Sequence, residues 1–131
     1  MDYNLTNKAL IMAIDVLFKE KIPVLYMDSN ISNIEIVQII ISIKSGVNLA
    51  KIKSGSLGTE DLENMVNVIH EIYEAPMYIL DCSIENIELI KQLINEKGIR
   101  KMFIDYEEKY KEYIDEIKRD TIIPIVAIIK K

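Results

Sequence analysis

The stretch Ile22-Pro-Val-Leu-Tyr-Met-Asp-Ser-Asn-Ile-Ser-Asn-Ile-Glu35 decides the fold. Residues 22–27 form a short apolar run with β-branched members, closed by Asp28, which reads as a strand. Ser32 followed three positions later by Glu35 has the form of a capping box, so a helix opens there. A strand running directly into a helix is half of a βαβ unit, and the same succession recurs along the chain.

Upstream, Leu10, Ile11, Ala13, Ile14, Leu17 and Phe18 recur at helical spacing. Downstream, the helix through Ile36, Ile39, Ile40 and Ile43 ends at Gly46, and a short helix over 48–53 follows. Residues 54–58 are a turn, and Leu62, Met65, Val66, Ile69, Ile72 and Tyr73 mark a long amphipathic helix from Thr59. Pro76 starts a strand over 77–81, Ser83 caps a helix that stops at Gly98, and residues 99–106 form a strand around Met102-Phe-Ile-Asp105. A charged helix over 107–118 and a strand over 122–129 complete the pattern, with Tyr106, Tyr110 and Tyr113 reading as a core-facing stripe on that helix. About four apolar strands alternating with helices predict an α/β fold, three-layered and mainly parallel, in one domain over 1–131.

Composition bounds the function. With half the residues hydrophobic and 28% charged, the 131-residue chain can bury a core, which excludes long disordered stretches. A net charge of −5 disfavours autonomous DNA binding, because proteins that grip the phosphate backbone carry a clustered basic surplus. The longest apolar stretches, 36–43 and 122–129, fall well short of the roughly 20 residues a membrane span needs, so no membrane role is expected. One cysteine, Cys82, forms no internal disulfide, and with no signal segment at the start a cytoplasmic location is the simplest.

In open parallel sheets ligands bind at the carboxyl ends of the strands, and three of the strands end in aspartate: Asp28, Asp81 and Asp105. Parallel strands gather all three at one rim, where they form a candidate Mg2+ site. The alternative is that each caps or turns the chain into the next helix. His70 has no second ligand at metal spacing and reads as a surface residue; Cys82 has no visible base and reads as a structural thiol. Lys130 and Lys131, at the end of the sequence, read as a solvated terminus. The four glycines form no phosphate-binding loop.

This order of elements resembles the RecA-like ATPase domain of bacterial replicative DNA helicases of the DnaB type. The matching blocks are Pro23-Val-Leu-Tyr-Met27 with Ser32, Ile52-Lys-Ser-Gly-Ser-Leu57 with Glu60-Asp-Leu62, and Ala75-Pro-Met-Tyr-Ile79 with Asp81. Met102-Phe-Ile-Asp-Tyr106 is similar to the Walker B strand, and Ile123-Pro-Ile-Val-Ala-Ile128 to the strand after it. The register holds from about residue 8 to residue 130.

The departures fall on the chemistry. Residues 1–6 are too few for the family's Walker A strand and phosphate loop. Lys8 lies near the place of the phosphate-binding lysine, but Asn7 and Ala9 stand where the glycine and the magnesium-binding Ser or Thr would be. Asn30 replaces the catalytic glutamate, Lys130 the sensor glutamine, and neither the DNA-facing loop nor the arginine-finger segment is found. The resemblance therefore implies remnant nucleotide contacts at Asp105, Asp81 and Lys8 and no cofactor beyond weak ATP/Mg2+, while the Mg2+ site at Asp105, Asp28 and Asp81 remains the reading of the strand ends themselves.

The expected function is that of a degenerate helicase-like domain without ATPase or helicase activity. It would act by self-association, as a homo-oligomer such as a dimer, or by contact with a replicative helicase or its loader. The alternatives are a residual nucleotide-binding domain or split ATPase subunit, and a receiver-like Mg2+/phosphoacceptor module with Lys130 at its acidic rim.

Overall fold

The structure, a computed structural model, describes residues 7–81 and 86–130, Asp81 by its backbone alone. The element order is α1 (Lys8–Glu20), β1 (Val24–Asp28), α2 (Asn33–Ser45), α3 (Leu49–Ser54), α4 (Thr59–Glu74), β2 (Met77–Asp81), α5 (Ile87–Lys97), β3 (Lys101–Tyr106), a 3-10 turn (Glu108–Tyr110), α6 (Lys111–Asp120) and β4 (Ile125–Ile129). The four strands form one sheet in the order β2-β1-β3-β4, every pairing parallel. The predicted fold class holds, and the strand order is new.

Side-chain alternation divides the core into two layers. Val24 and Tyr26 of β1 and Phe103 of β3 face α1, α2 and Leu49 of α3; Leu25, Met27, Met102 and Ile104 face Ile90 of α5 and Ile114 and Ile117 of α6. Both central strands are buried on both faces, which is why they read as unbroken apolar runs. Each fully buried aliphatic side chain contributes about 1.5–3 kcal/mol, so these two strands anchor the domain.

The helix ends follow local chemistry. Ser32 Oγ accepts the Glu35 N–H at 3.3 Å and Asn48 Oδ1 the Ala50 N–H at 2.8 Å, capping α2 and α3. Gly46 ends α2 at φ 78°, a left-handed conformation that a Cβ would strain. The cap of α5 is Asn86, whose Oδ1 accepts the Leu89 N–H at 3.1 Å; the Ser83 cap and the Cys82 thiol read from the sequence lie outside the described residues.

Several details differ from the sequence reading. Strands expected from residues 22 and 122 begin after the prolines, at Val24 and Ile125. Proline has no N–H for the ladder, yet its carbonyl still serves: Pro23, Pro76 and Pro124 accept from Arg100, Val24 and Met102 at 2.8, 3.0 and 3.0 Å. Tyr106 is the buried last residue of β3, as the strand over 99–106 predicts, and so does not share a stripe with the following helix; Tyr110 packs partly buried against the α5–α6 layer, and Tyr113 is exposed. Lys130 is also not a frayed end: its side chain is 10% exposed and ion-paired. No helix among the described residues is long and apolar enough to cross a membrane.

Candidate functional site at the carboxyl ends of the strands

The register pairs Asp28 with Asp81 on one side and with Asp105 on the other, so three aspartates stand in one row across β2, β1 and β3. Asp28 and Asp105 share the sheet face that carries Tyr26 two residues earlier on β1, because alternate residues point the same way. Both carboxylates are buried, at 2% and 1% exposure, beneath the start of α1.

Asp105 is clasped by that helix. Its Oδ1 accepts the Ala9 N–H at 2.9 Å and its Oδ2 the Leu10 N–H at 3.0 Å. These are among the first-turn amides that lack partners within a helix, and their dipoles favour an anion. Asn7 occupies the N-cap position without capping; its Nδ2 donates to Asp28 Oδ2 at 3.2 Å instead. Lys8, the first residue of α1, is exposed.

The Tyr26 hydroxyl sits between the two carboxylates, 2.6 Å from Asp105 Oδ2 and 3.0 Å from Asp28 Oδ2. Burial above all, and then the charges of Asp105 and Asp28, push its pKa far up, so it remains a proton donor at any working pH. Desolvation raises the Asp105 carboxyl above its usual range; the Tyr26 hydroxyl and the two amides of α1 offset part of that rise.

Asp28 closes the other half of the cluster. Its Oδ1 accepts the Asn30 and Ile31 N–H groups at 3.0 and 3.1 Å, shaping the turn into α2, and meets Lys130 Nζ at 2.5 Å. Lys130 Nζ also donates to Asn30 Oδ1. The ladder extends one residue past the strands to hold this geometry: Ser29 N–H donates to the Asp105 carbonyl at 3.1 Å and Lys130 N–H to the Tyr106 carbonyl at 2.7 Å.

The cluster thus joins Asn7, Tyr26, Asp28, Asn30, Asp105 and Lys130. Sequence reasoning named Asp28, Asp105, Asn30 and Lys130 but not Tyr26 or the side-chain role of Asn7. Tyr26 had a signal, its i, i+2 spacing to Asp28 on a strand. Among the described residues no three or more His, Cys, Asp or Glu side chains come together as a metal-binding group. His70 is exposed on α4, 3.4 Å from Glu74.

A solved ATPase domain shares the fold with a TM-score of 0.75 at 17% identity, over 97% of this chain and 54% of that one. A DnaB-like replicative helicase, solved in a study of its interactions with primase, does so with a TM-score of 0.70 at 16% identity, over 97% of this chain and 36% of that one. In sequence, the replicative DNA helicase DnaB of Treponema pallidum (strain Nichols) is 26% identical over 145 aligned positions, covering 94% of this chain and 33% of that protein. The chain therefore spans about a third of the curated relative it matches. Residues 5–130 match the family described as the DnaB-like helicase C terminal domain, and the chain belongs to that family.

Proposed function

We propose that this domain has exchanged nucleotide chemistry for a structural role, and that it acts in DNA replication through protein contacts rather than by hydrolysing ATP. The observation that carries this reading is the position of Asp105. A helix N-terminus is a natural phosphate site, and here two of its amides are occupied by a carboxylate of the protein itself. The described residues do not fit ATP and Mg2+: each Asp105 oxygen already accepts a hydrogen bond from within the protein, Asp28 is neutralised by Lys130, and Ala9 offers no hydroxyl to a metal.

The remaining groups do not restore the chemistry. Asn30 cannot accept a proton from water at neutral pH, and its side-chain oxygen is engaged by Lys130. Tyr26 is held protonated and so offers no base. With two first-turn amides of α1, the carboxylates of Asp28 and Asp105 and the Asn30 oxygen all engaged within the protein, the cluster serves as a polar clamp tying α1 to the ends of β1, β3 and β4.

A replication protein is the partner class that fits the family, since the helicase solved with the same fold was described with primase. The cytoplasm, where replication proteins work, is the matching compartment. The test combines two assays on the purified chain: ATP turnover with Mg2+ and single-stranded DNA, and retention of replicative helicase, primase or loader on the immobilised domain. No turnover with retention of one of them, or with self-association, is the expected result. Turnover above background would overturn the reading.

A further inference from the structure

β4 closes one side of the sheet, and among the described residues no strand lies beyond it. Met102 N–H donates to the Pro124 carbonyl and Lys130 N–H to the Tyr106 carbonyl, so the peptide groups of residues 124, 126, 128 and 130 turn toward β3. Those of Ile125, Ala127 and Ile129 turn outward, because alternate residues of a strand address opposite neighbours. Within Ile125–Ile129 this outward row has no charge, no proline and an unbroken register; the strand is short, with Pro124 before it and Lys130 after it, and among the described residues no further strand pairs with it.

The flanks of the edge are apolar as well. All five residues of β4 are only half-buried, unlike those of the central strands. On the α1 side the edge opens into a cleft of about 550 Å3 whose apolar lining includes Ile11, Met12, Val16, Phe103, Pro124 and Val126. Met12 is 44% exposed there, and Ile122, just before the strand, is fully exposed.

We propose that the outer edge of β4 pairs antiparallel with β4 of a second copy, about a two-fold axis at Ala127. The sequence is self-complementary in that register. Ile125 falls opposite Ile129, Val126 opposite Ile128 and Ala127 opposite itself, so apolar side chains meet only apolar ones and the smallest lies on the axis. The three outward-facing residues then all occupy hydrogen-bonded pairs, in each of which both N–H groups donate to the opposite carbonyl. Lys130 falls opposite Pro124, so no like charges meet. The other edge is poorer: the same operation on β2, centred on Ile79, would set Met77 against the acidic Asp81. This inference rests on the reading of the domain as a contact module, for which it supplies the surface.

The test is light scattering of the purified chain across the micromolar range, with residue-resolved amide exchange at both ends of that range. The expected mass rises from 15.1 kDa toward twice that value, with protection of the Ile125, Ala127 and Ile129 amides growing in step while Val126 and Ile128 stay constant. Ala127→Pro deletes one outward N–H and no bond to β3, and is expected to abolish the dimer. The exchange pattern of the unsubstituted protein decides the matter if that variant fails to fold.

A constant monomer mass overturns the proposal. So does a dimer whose three outward amides exchange freely, which would place the contact elsewhere, or protection of those amides at concentrations where the mass is monomeric, which would mean the chain covers its own edge. A monomer that still retains a replication protein defeats the edge while leaving the functional reading intact; ATP turnover defeats the functional reading whatever the mass.

Discussion

At the scale of single residues, the polar cluster makes opposite demands on its members. Asp28 and Lys130 form an ion pair with side-chain exposures of 0% and 10%, and a buried pair is most damaging when only one partner is removed. Lys130→Met is expected to destabilise the domain by about 3–5 kcal/mol, and adding Asp28→Asn should recover part of that loss because the uncompensated charge disappears. Tyr26→Phe takes away the hydroxyl that both carboxylates approach, and should lower stability by about 1–3 kcal/mol. Denaturant unfolding of the single and double variants measures each effect; equal stability of Lys130→Met and the parent would contradict the clamp.

The raised pKa of Asp105 sets a pH dependence whose sign can be worked out. A carboxyl with a folded-state pKa above its unfolded value of about 3.9 binds more protons when folded within that window, so its contribution to stability falls as pH rises through it. Below the window that penalty is absent; above it the loss is complete and constant. Relative to Asp105→Asn, which does not titrate there, the parent protein should therefore lose stability as pH is raised from about 3.9 through the raised pKa. Unfolding free energies of the pair as a function of pH check this, and a gain in the same direction would contradict the desolvated environment assigned to Asp105.

At the scale of elements, the helix ends are the most local feature and the easiest to perturb. Ser32→Ala removes the acceptor for the Glu35 N–H and should cost about 0.5–2 kcal/mol, and Gly46→Ala, at φ 78°, about 1–2 kcal/mol through backbone strain alone because its Cβ would meet open space. Thermal unfolding of the two variants measures both. These ends were legible in the sequence because a cap is decided within four residues. The strands were legible for a similar reason: the burial of β1 and β3 on both faces is written as continuous apolar runs.

What the sequence did not show is set by contacts between distant segments. The order β2-β1-β3-β4 depends on pairings across dozens of residues, which periodicity does not encode. Strand ends could place Asp28, Asp81 and Asp105 on one rim, but not reveal that Asp105 clasps amides 95 and 96 positions earlier in the chain. Lys130 looked like a solvated terminus because its partner, Asp28, lies 102 positions away. The prolines misled differently, since Ile22 and Ile122–Ile123 continue the apolar pattern where the backbone does not continue the ladder.

At the scale of the whole molecule, a two-layer apolar core carries a sheet whose polar strand-end residues bind one another. Phe103, at 2% exposure, joins β3 to α1, and Phe103→Ala should destabilise the domain by about 3–5 kcal/mol without touching the cluster at the strand ends. The central claim is that the phosphate position at the start of α1 is already filled by Asp105. Its most direct test is calorimetric titration of ATP and ADP, with and without Mg2+, into folded chain of known oligomeric mass. The account predicts no binding tighter than about 100 μM under any of these conditions; Mg2+-dependent binding below that value would show that Asp105 yields the site and would contradict it.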